Sequence, residues 1–277
     1  MASSLQVILP TYYPLEDDLV RSLHALANAI EFARHDGVIN SVNVALVDNS
    51  QDSECLHRMV DLAQLFFRDP IEVSFLSGHN NMGIGSAINL ALHGSGADYH
   101  LILLVNVELQ RDAIAEGVSW MQANEDAGLA TAALFDQEGH LKSPCYRYPT
   151  VWDALLLYLA PAFVKRLLAR RFDRFRMFDE IQKQETFFDI PCFKSSCMLA
   201  RRTITDQTGG FDPSFFIYFS SWDLSLRLGL ITRTVYLPQM RALTYPSLQS
   251  LDSGWSYPSA FLRDAVKFFR KHHCRWW

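Results

Sequence analysis

Apolar and polar positions along the first half of the chain alternate between two periods. Leu5–Leu9 (LQVIL), Val42–Val47 (VNVALV), Ile71–Leu76 and Tyr99–Val105 (YHLILLV) are short apolar runs of strand length. Between them, Asp18–Arg34 carries Leu19, Leu23, Leu26 and Ile30 at helical spacing, and Ser53–Phe67 carries Leu56, Val60, Leu62 and Leu65. Gly85–Leu92 and Asp112–Asn124 read as two further helices. Strands apolar almost throughout, separated by helices, predict an α/β chain whose mainly parallel central sheet is covered on both faces. Ligands of such sheets bind beyond the carboxyl ends of the strands. That singles out Pro10–Pro14, Asp48–Asp52, Ser77–Asn89 and Asn106–Glu108.

The second half is less regular. Val151–Phe175 mixes Leu, Tyr and Phe with Arg166, Arg170, Arg171 and Arg174, and Arg176 follows. Asp189–Arg201 reads as a strand entering a turn, Gly209–Pro213 as a turn, Trp222–Leu230 as a helix and Arg233–Leu237 as a strand. Ala260–Trp277 alternates apolar and basic residues, as in a helix lying on an anionic membrane or docked on a core. The expected division is 1–135, 136–250 as a smaller lobe, and 251–277 as a terminal amphipathic helix.

Of the 277 residues, 49% are hydrophobic and 20% charged, which excludes a disordered chain. A net charge of −5 argues against bulk attraction to nucleic acid. The five cysteines form no CxxC pair, so neither a zinc ribbon nor a disulfide framework is expected, and a reducing, cytoplasmic setting is. MASSLQVILPTYYP has no basic region ahead of its short apolar run, so it does not read as a secretory leader. No apolar run reaches the ~18 residues of a membrane span.

Five clusters offer chemistry. In Pro10-Thr11-Tyr12-Tyr13, an aromatic at a strand end can stack on a nucleobase or simply pack. Asp48, heading Asp48-Asn49-Ser50, can accept from a base or ribose, or close an Asx turn. Gly83 and Gly85, within Asn80–Asn89, let backbone approach a ligand ahead of a helix N-terminus. Ile88 occupies the third glycine position of a dinucleotide fingerprint, which excludes that reading. Glu108, in Asn106-Val107-Glu108, is the kind of oxygen ligand a divalent ion on a diphosphate takes. Asp223, within Gly209–Arg227, is a candidate general base or a helix cap.

Together and in this order the clusters resemble the inverting family 2 glycosyltransferases of GT-A fold, in particular the rhamnosyltransferase-like subgroup of bacterial surface-polysaccharide synthesis. Thr11-Tyr12 stands where the family has T-Y-N, and Asp48-Asn49-Ser50 resembles the opening of its D-N-x-S-x-D segment. Asn81-Met82-Gly83 with Ala87 and Asn89 matches N-x-G-x-x-x-A-x-N. Gly209-Gly210-Phe211-Asp212, Tyr218, Asp223-Leu224 and Arg227 follow the remaining motif. The resemblance implies a UDP- or dTDP-sugar donor held near Pro10, Thr11, Tyr12, Asp48, Asn49, Asn81, Gly83 and Asn106. It also implies Mn2+ or Mg2+ at Glu108, and a saccharide or lipid-linked acceptor at the inner face of the cytoplasmic membrane. Three positions depart from the pattern. Ser220-Ser221 replace the Glu-Asp pair that supplies the base, Thr244 replaces a histidine, and Glu108 replaces an aspartate. Two readings stay open: a working transferase, with Asp223 as the remaining carboxylate, or a degenerate member that binds donor or acts as a scaffold.

Overall fold

The alternation of apolar runs becomes a single wound sheet. β1 (Ser3–Thr11), α1 (Glu16–His35), β2 (Ile39–Asp48), α2 (Ser53–Phe66), β3 (Ile71–Leu76), α3 (Ile84–Leu92) and β4 (Tyr99–Leu103) follow one another, and β1, β2, β3 and β4 pair in parallel. β1 runs through Pro10, beyond the LQVIL core. It pairs with β4 only over Leu5–Ile8, so the missing proline N–H breaks no bond on that side. The computed structural model describes residues 2–50, 52–183, 186–246 and 258–272.

The next elements are β5 (Val107–Leu109), α4 (Ala113–Ala123), β6 (Ala127–Phe135), β7 (Leu141–Lys142), β8 (Cys145–Tyr146), α5 (Val151–Tyr158), α6 (Ala162–Leu167), α7 (Ala169–Phe175) and α8 (Phe178–Lys183). They are followed by β9 (Phe188–Asp189), β10 (Cys192–Phe193), β11 (Cys197–Arg201), α9 (Arg202–Thr208), α10 (Ser220–Leu228), β12 (Arg233–Thr244) and α11 (Pro258–Lys271). The sheet order is β3-β2-β1-β4-β11-β6-β12-β5, with β7 and β9 as short additions. β11 lies antiparallel between β4 and β6, so strands from both sequence halves share one sheet. β8 and β10 form a separate antiparallel pair.

One sheet face packs on α1, α2 and α4 through residues such as Leu23, Leu26, Ile30, Met59 and Val118. The other packs on α3 and α10 through Ile88, Phe211 and Leu224. A third, aromatic cluster joins Tyr146, Phe175, Phe215, Tyr218, Phe219 and Trp222 to Phe261 and Phe268 of α11. Burying side chains of this size stabilises by roughly 2–3 kcal/mol each, which is what holds α11 against the site. Four cysteines are buried and free; Cys274 lies outside the described residues.

Candidate active site

Thr11 and Asp48 end β1 and β2 side by side. The Asn49 N–H crosses to the Thr11 carbonyl at 2.9 Å, and Asp48 Oδ1 accepts the Ser50 N–H at 2.9 Å, closing an Asx turn. Asn49 then reaches the glycine-bearing loop. Its Nδ2 donates to Asn81 Oδ1 (2.9 Å), and its Oδ1 accepts from the Met82 N–H (3.2 Å). Asn81 Oδ1 also accepts from the Gly83 N–H (3.1 Å). Gly83 has φ +86°, and a side chain there would overlap the Phe216 carbonyl, which accepts from the Ile84 N–H at 3.2 Å. At the other end of α3, Asn89 bonds both ways to the Phe211 backbone, at 2.7 and 2.9 Å. Tyr12 stands partly exposed on the same rim, edge-on to Tyr13 at 4.9 Å. The structure thus brings Pro10, Thr11, Tyr12, Asp48, Asn49, Asn81 and Gly83 together. Thr11 presents only backbone to the rim, because its hydroxyl donates inward to the Val47 carbonyl at 3.2 Å.

Asn106 and Glu108 are placed differently from one another. Asn106 lies in the turn after β4, whereas Glu108 lies in β5, paired antiparallel with Leu243 of β12. Tyr245 clamps both. Its N–H donates to the Asn106 carbonyl (3.0 Å), its carbonyl accepts from Asn106 Nδ2 (2.9 Å), and its hydroxyl donates to Glu108 Oε2 (2.6 Å). The bond to Glu108, with some burial, holds the Tyr245 phenol above its ordinary pKa. Arg21 of α1, paired with Asp18, stacks on the Tyr245 ring at 4.4 Å. Glu108 therefore belongs to the α1 side of the rim and makes no direct bond to the Asn49–Asn81 network. Motif reading pointed to Thr244, the last residue of β12, and not to Tyr245 just beyond the strand, whose contacts only the packed fold creates.

The donor chemistry here fits a hard divalent ion. Glu108 offers carboxylate oxygen, and the Asn106 side-chain oxygen is not used in its pair with Tyr245. One carboxylate plus donor phosphates is a set that Mg2+ or Mn2+ accepts. The only cluster of three potential ligands among the described residues, Asp136, Glu138 and His140, surrounds an exposed hairpin turn at the β6–β7 junction.

At α10, Ser220 is buried and Ser221 Oγ lies 2.8 Å from Ser195 Oγ. The neighbouring Ser196 carbonyl accepts from the Leu104 N–H at 2.9 Å, which sets these hydroxyls beside the Asn106 turn. Asp223 does not face the rim. Its side chain is wholly buried, with Oδ2 on Arg227 (2.9 Å) and Oδ1 on Lys271 (2.7 Å) and His272 (2.8 Å). Burial alone would raise its pKa, but hydrogen bonds from His272, Lys271 and Arg227 outweigh that and lower it. Both oxygens are occupied and solvent is excluded, so no acceptor hydroxyl reaches this carboxylate. The expectation that Asp223 acts as base is corrected accordingly: two residues along a helix turns a side chain by roughly 200°, away from the position of Ser221.

No family model matches the chain. It is 32% identical to N-acetylglucosaminyl-diphospho-decaprenol L-rhamnosyltransferase from Mycobacterium tuberculosis, strains CDC 1551 / Oshkosh and H37Rv. The match runs over 296 residues and covers 100% of this chain and 87% of each relative. Among solved structures it resembles a mannosyltransferase from Pyrobaculum calidifontis in complex with GDP-Man and Mn2+ (TM-score 0.60, 13% identity, 98% of this chain and 64% of that one). It also resembles GalNAc-T7 with UDP, GalNAc and Mn2+ (TM-score 0.63, 13% identity, 99% and 55%), and TarS of S. aureus (TM-score 0.54, 14% identity, 88% and 60%). The chain spans less than two thirds of each of these solved chains, and at such identity they establish the fold. The chain belongs to the rhamnosyltransferase-like glycosyltransferases of family 2, with the GT-A fold.

Proposed function

We propose that the chain moves a sugar, rhamnose foremost, from a UDP- or dTDP-linked donor to a lipid-linked saccharide, with inversion, in cell-surface polysaccharide synthesis. The Asn49–Asn81–Gly83 network carries this reading. It holds Met82, Gly83 and Ile84 in one conformation at the strand ends, beside Tyr12 and Asp48, which supports a nucleoside diphosphate lying against this loop. Glu108 and Asn106 are the residues that would hold Mn2+ or Mg2+, whose chemistry is to stabilise the charge of the departing diphosphate. The acceptor oxygen forms the new bond to the anomeric carbon as the diphosphate leaves with its bonding pair, and the acceptor hydroxyl's proton passes to water or to the departing diphosphate. Exposed Phe163 and Leu167 of α6 beside Arg166 and Arg170, with Leu262 and Val266 on α11, supply a surface for a lipid-borne acceptor at the inner face of the membrane.

One observation favours a second reading, donor binding without turnover. Among the described residues, the start of α10 has hydroxyls where the reaction needs a base, and hydroxyls take up protons poorly near neutral pH. Calorimetric titration with dTDP-rhamnose and UDP-sugars, with Mn2+ and with chelator, decides whether a donor binds; no binding of any sugar nucleotide overturns both readings. Turnover is then compared with the double variant Ser220→Glu, Ser221→Asp. A gain on the order of 10²-fold is expected from a restored base. A native chain with full turnover and no gain removes the second reading. Glu108→Ala is expected to abolish the metal dependence.

A further inference from the structure

The C-terminal helix holds a residue that neither motif nor family pattern marks. Asp264, in the middle of α11, is wholly buried. Its Oδ2 accepts three successive backbone N–H groups, from Phe216 (3.1 Å), Ile217 (3.1 Å) and Tyr218 (3.2 Å). These residues belong to the strap, residues 212–219, that enters α10. α11 grips the same strap at two further points, Lys267 on the Ser214 carbonyl and Lys271 on Asp212. Three N–H groups converging on one oxygen make an anion nest, and here a carboxylate from 46 to 48 residues along the chain fills it. The strap matters for the site at both of its ends. Its Phe216 carbonyl accepts the Ile84 N–H and fills the space a Gly83 side chain would need. Its last residue, Phe219, has φ +64° and is followed directly by Ser220 and Ser221. An unbroken run of bonds thus leads from Asp264 through Phe216 to Gly83, Asn81 and Asn49.

We propose that Asp264 is a positioning residue for the donor loop: through the Phe216–Tyr218 strap, α11 sets the conformation of Met82–Ile84 and so the affinity for the nucleoside diphosphate. The affinity part rests on the donor reading above; the conformational part does not. An aspartate suits the position because one carboxylate oxygen answers three N–H donors while the other pairs with Arg263 at 3.3 Å.

The test uses the full chain and two variants, Asp264→Asn and Asp264→Ala. Should the alanine variant fail to fold, the asparagine variant, of the same size and still able to accept, carries the measurement. Amide hydrogen exchange is followed at Met82, Gly83 and Ile84, with α1 as internal reference, and UDP and dTDP are titrated by calorimetry. The expected result is at least about tenfold faster exchange at the three loop amides with α1 unchanged, and nucleotide affinity about tenfold weaker, as for loss of a charge-assisted bond. If exchange rises only in α11 and the strap while Met82–Ile84 and nucleotide affinity stay as in the native chain, Asp264 merely anchors the helix and the proposal falls. If the native chain binds no nucleotide, the donor reading fails, and exchange at Met82–Ile84 alone still judges the coupling.

Discussion

A side chain at position 83 would have to occupy the space of the Phe216 carbonyl oxygen while its backbone held φ at +86°. Either demand is costly for an L-residue, and together they make glycine obligatory for this geometry. Gly83→Ala is expected to lower unfolding free energy by about 3 kcal/mol, measured by chemical denaturation, and to loosen Asn81 and Ile84 with it. Asn81 and Gly83 were legible in the sequence because they stand in a recognisable spacing. Ser195, Tyr245 and Asp264 were not. A lone aspartate among Phe, Arg and Lys on an amphipathic stretch reads as one more solvated charge. Only the packed fold shows it buried against a strap that lies 46 to 48 residues before it.

Secondary-structure elements followed the apolar periodicity where they are long and departed from it where a partner creates them. β5 is three residues, Val-Glu-Leu, with no run of its own; it exists because β12 pairs with it. β12 continues past the Arg233–Leu237 run to Thr244, with Pro238 inside a register shift that spares the ladder its missing donor. α10 begins at Ser220, two residues before the apolar pattern of Trp222–Leu230, since Phe219 turns the chain there. Between α10 and α11, Asp223 with Arg227, Lys271 and His272 is a pH-dependent tie. Its folded pKa lies below the ordinary 3.8, so its contribution is complete above that value and is lost as pH falls through the lowered one. Asp223→Asn is expected to cost about 2 kcal/mol at neutral pH, since Arg227, Lys271 and His272, all in reach of solvent, lose a shared buried carboxylate. The gap between native and variant chains should close below about pH 4, as followed by urea melts across the acid range.

At the scale of the molecule, the described residues include no helix long and apolar enough to cross a membrane. Leu167 and Phe163 nevertheless expose most of their surface, 82% and 72%, beside basic neighbours. The lipid-facing role proposed for this surface has a direct test, since each basic residue near an anionic bilayer adds about 1 kcal/mol. The chain is expected to sediment with phosphatidylglycerol vesicles and not with phosphatidylcholine vesicles. The variant Leu167→Glu with Arg166→Glu should bind at least tenfold more weakly, and salt near 1 M, with a Debye length of about 3 Å, should release the native chain. Equal binding to both lipids would remove this surface from the account.

By itself the sequence determined the α/β class, the parallel strands of the first half, and the rim segments from Pro10 to Asn106. Hydrophobic periodicity and turn chemistry are local properties, and family motifs are written in single residues. Tertiary structure decided which carboxylates are free. Asp223 became an ion-paired tie between helices, Glu108 a strand residue under Tyr245, and Asp264 the anchor of the strap beneath the glycine loop. Whether a carboxylate does chemistry or holds structure depends on solvent access and on the cations and N–H groups around it, and distant segments bring those only when the chain has packed.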